Sequence, residues 1–150
     1  MVSSLEQKLT AYFKKLESCY SDVGFIDPDI SYIENNVPTV AYMQEFGDHN
    51  GGRRIPPRPF MRKSVSDFSP VMAKALAKSL VENKYDSKKS LDELSIQLRD
   101  RIKQNITDWS NPANAEWTIM KKGFNDPLVD TGLMRDSVEY EVKSGLSNES

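Results

Sequence analysis

The pattern that most restricts the fold of this chain is a pair of apolar stripes at helical spacing, separated by a short polar break. Val71, Met72, Ala75, Leu76 and Leu80 share one helical face, and Leu91, Leu94, Leu98, Ile102 and Ile106 share another. Ser69 and Pro70 offer an N-cap and an N1 proline for the first helix, which is expected to end near residue 84. Ser90 and Glu93 have capping-box spacing for the second. The connection "NKYDSKK" is short, so an antiparallel helical hairpin is predicted.

Shorter signals surround that hairpin. Ser3 and Ser4 precede Glu6 and Gln7 at capping-box spacing, and Leu5, Leu9, Tyr12, Phe13 and Leu16 then fall on one face, which predicts a first helix over about 4–20. "SDVGFIDPDISYI" mixes β-formers with Gly and Asp-Pro, as a short strand followed by a turn would. Asn36, Pro38 and Gly47 suit the N-cap, an early position and the C′ residue of a short helix, although a strand stays open there. Toward the C-terminus the expectation is a short helix ending near Gly123, a loop through Pro127 and a helical turn near Gly132. A strand at "SVEYEV" follows, where Val138, Tyr140 and Val142 alternate with Glu139, Glu141 and Lys143. These elements predict an α+β fold, a single domain over 1–143 with amphipathic helices packed on a small, mainly antiparallel sheet. Residues 48–63 are expected to protrude as an extended Arg/Pro-rich arm, and 144–150 to form a mobile tail.

A chain of 150 residues, 38% of them hydrophobic, can bury one substantial core. Its apolar runs are only a few residues long and its N-terminus is charged throughout, so neither a membrane span nor a secretion signal is expected. Cys19 is the single cysteine and His49 the single histidine, which leaves no internal disulfide and no recognisable zinc cluster; a reducing cytoplasmic setting and no cofactor are expected. The net charge of −2 argues against a general nucleic-acid binder, but the charge is uneven. Between residues 47 and 63, Arg53, Arg54, Arg58, Arg62 and Lys63 face a single carboxylate, Asp48.

No His/Cys/carboxylate constellation accompanies these residues, so an enzyme is not expected. Asp130-Thr131-Gly132 is similar to the Asp-Thr-Gly of aspartic proteases, but it lies near the end of a helix-rich chain instead of early in an all-β one. The structural reading has Asp130 or Thr131 capping the helical turn. Trp109 and Trp117 read as core or interface packing.

The segment "IPPRPF" carries prolines at 56, 57 and 59, which fix φ and remove three backbone donors, so it should be extended and inexpensive to order. Such a segment can lie across a neighbouring subunit, which makes Ile55, Pro56, Pro57, Arg58, Pro59 and Phe60 a candidate subunit interface, with Gly51-Gly52 as hinge. In the alternative, Phe60 fills its own core and Arg58 pairs with a local carboxylate such as Glu45. Arg53 and Arg54 either face a channel and touch DNA phosphates without sequence preference, or are ordinary loop charges or partners of a neighbour's acids.

Taken in order, Ala41…Glu45-Phe46-Gly47, Ile55-Pro56-x-Arg58-Pro59-Phe60, Lys122-Gly123 and Pro127-Leu128…Thr131-Gly132…Met134…Ser137 resemble the tailed-phage virion-morphogenesis family, also called tail-completion or neck proteins. The elements bracket about two thirds of the chain. The resemblance implies a structural virion subunit, made in the host cytoplasm, that forms a homo-oligomeric ring at the head-proximal end of the tail and joins it to the head. Adjacent connector and tail proteins would be its partners, with non-specific contact to passing DNA. It carries over no catalytic residue. A neighbouring head–tail connector or tail-terminator ring is the alternative within that class, and a small DNA-binding protein using the basic arm is the alternative outside it.

Overall fold

The computed structural model describes residues 3–32, 34–50, 54–123, 125–129 and 131–144, the side chain of Trp117 excepted. In chain order these form α1 (Ser4–Glu17), β1 (Cys19–Gly24), α2 (Val37–Phe46), α3 (Phe60–Glu82), α4 (Ser87–Asp108), α5 (Glu116–Lys122), α6 (Leu133–Asp136) and β2 (Glu139–Ser144). The Gly51-Gly52 hinge, Arg53, Asp130, the Trp117 side chain and residues 145–150 of the expected tail therefore lie outside the described residues.

The hairpin is present, but both of its helices begin earlier than their local signals indicate. α3 starts at Phe60 and runs straight through Ser69-Pro70, so residues 60–63, expected in the arm, are its first turn. Pro70 has no N–H to offer the carbonyl one turn back, and the Ser69 hydroxyl donates to the Val65 carbonyl at 2.8 Å instead of capping. α4 is capped by Asp86, whose carboxylate accepts from the Lys89 N–H at 3.1 Å; Ser90 sits one turn inside, donating to the Asp86 carbonyl at 2.8 Å. The connection is tight enough to hold Lys84 and Tyr85 at φ 52° and 64°.

Where α3 meets α4 the seam is partly serine. The buried Ser64 hydroxyl accepts from Asn105 Nδ2 at 2.7 Å and donates to the Phe60 carbonyl at 2.7 Å, and Ser79 donates to the Glu93 carboxylate. Small side chains let the helices approach closely, while each hydroxyl named here keeps a partner.

β1 and β2 pair antiparallel, from Cys19 opposite Ser144 to Gly24 opposite Glu139. That pairing ends α1 at Glu17 where helical spacing suggested residue 20, and it makes Ser144 a strand residue where a mobile tail was expected. One face of the ribbon lies on α4, with Ser21 Oγ 2.6 Å from Ser95 Oγ and the Arg99 guanidinium 5.4 Å from the centre of the Tyr140 ring. The core gathers Val37 and Ala41 of α2, Phe60 of α3, Ile102 and Ile106 of α4, Leu128, Met134 of α6 and Val138. Trp109 packs partly buried at its edge. The architecture is α+β, with helices on a two-stranded antiparallel sheet. No helix among the described residues is long and apolar enough to cross a membrane.

α1 forms its capping box, Ser3 Oγ accepting from Glu6 N at 3.2 Å and Glu6 Oε2 from Ser3 N at 2.7 Å, yet none of its residues is buried. Its apolar face is not part of the core.

Candidate assembly surfaces

The motif residues 41–60 build a corner between α2 and α3. Asn36 caps α2 by accepting from Thr39 N at 2.9 Å, and Gly47 ends it at φ 79° and ψ 166°, a conformation open essentially to glycine alone. The chain then doubles back, Asp48 and Ile55 exchanging backbone hydrogen bonds of 3.0 and 2.9 Å. A Cβ at position 47 would stand 2.8 Å from the Ile55 carbonyl oxygen. Gly47→Ala is accordingly expected to cost about 1–3 kcal/mol from backbone strain, with the clash added to it. Thermal unfolding measures this, and a melting temperature equal to the parent's would refute the corner geometry.

Where the prolines predict an extended segment, the chain before α3 ends in a tight turn, with Pro59 at φ −77° and ψ 61° and Phe60 N donating to the Arg58 carbonyl at 2.8 Å, and it lies against its own body. Arg58 is buried and its guanidinium donates to three uncharged acceptors: Gln44 Oε1 at 2.7 Å, the Pro112 carbonyl at 3.1 Å and the Ala113 carbonyl at 3.3 Å. Burial pulls its pKa below the ordinary arginine value. Phe60, at 0% exposure, packs edge-on to Phe25 with ring centres 6.3 Å apart. Of the six candidate interface residues, Arg58 and Phe60 are thus committed to this chain's interior; Ile55, Pro56 and Pro59 are half-buried, and Pro57 is exposed.

Glu45 does not pair with Arg58. It is buried, and its carboxylate accepts from Met61 N at 2.9 Å, Arg62 N at 3.2 Å and Arg62 Nε at 2.8 Å, while Arg62 Nη2 donates to the Glu45 carbonyl at 3.1 Å. Pro59, at the N-cap position of α3, contributes no side-chain cap. Glu45 supplies one from sixteen residues upstream, and its charge complements the positive end of the helix dipole.

The C-terminal motif residues also have packing or turn roles. Gly123 closes α5 in the left-handed conformation, Lys122 Nζ donates to the carbonyls of Asp126 and Val129 at 3.1 and 2.5 Å, and Gly132 is left-handed at the start of α6. Thr131 Oγ1 accepts from Leu133 N at 3.3 Å, in keeping with the capping reading. Among the described residues, no group of three or more His, Cys, Asp or Glu side chains is placed to hold a metal.

Among the described residues apolar side chains meet solvent at several places, Val81, Tyr85 and Met120 among them, and two helices present groups of them. Leu5, Leu9 and Phe13 project from α1. Tyr42 and Phe46 project from α2 with ring centres 4.8 Å apart, and the Arg62 guanidinium lies 5.0 Å from the centre of the Phe46 ring. Arg54 is exposed nearby in sequence, and His49 is exposed in the same loop. Sequence reasoning did not single out the aromatic pair; the signal was the i, i+4 spacing of Tyr42 and Phe46 on a helix whose Val37 and Ala41 occupy the core on another face. Searches against protein-family models, curated proteins and solved structures found no match to this chain.

Proposed function

We propose that this chain is a non-enzymatic structural subunit of a tailed-phage virion, forming a ring at the head-proximal end of the tail that joins it to the head. The observation that carries the reading is the role of the residues on which the resemblance rests. Ala41, Phe60, Leu128 and Met134 meet in one core, and Glu45, Gly47, Arg58, Gly123 and Gly132 hold helix ends and turns around it. A motif set used for packing and turn geometry suits a scaffold whose work is done by its surfaces. Exposed apolar side chains at α1 and at the α2–α3 corner supply such surfaces.

The test is location. In a tailed phage encoding this chain, a nonsense mutation in its gene should leave filled heads and finished tails unjoined, and label attached to the protein should appear as a ring at the neck of wild-type particles. Label elsewhere in the particle, or normal joined particles without the protein, would overturn the reading. A DNA-binding role for the exposed Arg54 and its loop predicts instead an affinity for duplex DNA of the purified chain that falls steeply with salt.

A further inference from the structure

β1 and β2 form a sheet of only two strands, so each strand is an edge. Among the described residues, the backbone hydrogen bonds of both strands run between the two strands themselves, and the N–H and C=O groups that point outward from the ribbon have no backbone partner. The two edges differ in character. β2 carries Glu139, Glu141 and Lys143 along its outer face, the kind of charged row that keeps a strand edge from pairing further. β1 carries a single charge, Asp22, beside the half-exposed Tyr20, with Cys19, Ser21 and Val23 alternating on the face toward α4. Gly24 closes this edge: it is buried, and a Cβ there would stand 3.5 Å from the Met61 methyl group. None of residues 19–23 is buried, so these are the residues of β1 that a further strand can reach.

An open strand edge takes an extended segment whose backbone supplies the missing donors and acceptors. A second copy of β1 fits in one register. An antiparallel pair centred between two residues would set the α4-facing row of one strand against the outer row of the other. Centring on Asp22 sets carboxylate directly on carboxylate, and centring on Tyr20 engages only residues 19–21 of the strand. Centring on Ser21 uses all of 19–23: Ser21 meets Ser21, Tyr20 meets Asp22, Cys19 meets Val23, and no like charges stand opposite. We propose that two copies of this chain pair antiparallel through β1 about Ser21, giving a four-stranded sheet in the order β2-β1-β1-β2. The contact is isologous and closes at two copies, so it does not rest on the ring proposed above and describes the free chain.

Position 20 separates association from folding. Within the chain it faces Lys143, whereas across the contact it faces Asp22 of the second copy. Tyr20→Asp therefore favours the ribbon and sets two carboxylates opposite each other between copies; Tyr20→Lys does the reverse. The dimer dissociation constant, measured by sedimentation equilibrium, is expected to rise at least several-fold for Tyr20→Asp and to fall for Tyr20→Lys. Equal constants for the two variants, or the opposite order, would overturn the pairing. As a second measurement, Tyr20→Cys and Asp22→Cys, each in a Cys19→Ser background and each checked to melt like the parent, should link under mild oxidation at least several-fold more in the mixture than alone. Like positions stand two residues out of register, about 7–8 Å apart, beyond disulfide reach. Linkage as strong from either variant alone would overturn the register, and a parent chain that sediments as a monomer at every concentration would overturn the pairing and leave the edge to a strand of another protein. Joined or unjoined particles test the neck role separately, since none of these readouts involves a particle.

Discussion

Phe60→Ala should lower the folding free energy by about 3–5 kcal/mol, seen as a fall in the urea midpoint with an unchanged slope. The ring is fully buried, packs edge-on against Phe25, and joins α2, α4 and the C-terminal segment through one core. Truncation removes that burial and leaves a cavity whose walls come from several elements that cannot all collapse together. Arg54→Ala, by contrast, changes an exposed loop side chain and should shift stability by no more than about 0.5 kcal/mol. The pair separates the two sequence readings of "IPPRPF". If the Phe60 variant melted like the parent but failed to associate, its ring would belong in a neighbour's core and the intrachain packing would be wrong.

Glu45→Ala is expected to cost about 3 kcal/mol, because it leaves the Met61 and Arg62 N–H groups unpaired at a partly buried helix end and strips Arg62 of its carboxylate. An ordinary N-cap loss costs only about 0.5–2 kcal/mol, so the excess measures the burial and the charge. Glu45→Gln keeps the shape and one acceptor oxygen and should fall between the two. Hydrogen exchange locates the effect: protection should drop first in the opening turn of α3, with α4 less affected. A Glu45→Ala protein as stable as the parent would show that α3 starts without this cap.

Elements whose signals are local and short in range were legible in the sequence. The Ser3–Glu6 box, the Asn36 cap, the Gly47 and Gly123 helix ends, the α4 stripe of the hairpin and the alternation from Val138 to Val142 all depend on residues within a few positions of one another, and the structure has each of them, whereas the α3 stripe lies on a helix but has none of its five residues buried and Val71 46% exposed. They also sufficed for the α+β class. The start of α3 was not legible, because its cap comes from Glu45 in a different helix, while the strong local signal at Ser69-Pro70 lies inside a helix already running. A local pattern likewise cannot say which apolar face finds a partner. The stripes of α4 and α1 have the same periodicity, yet Ile102 and Ile106 are buried by elements brought from both ends of the chain, whereas Leu5 is left 66% exposed. Burial depends on what the rest of the chain delivers to a face, and that is decided only when the tertiary structure assembles.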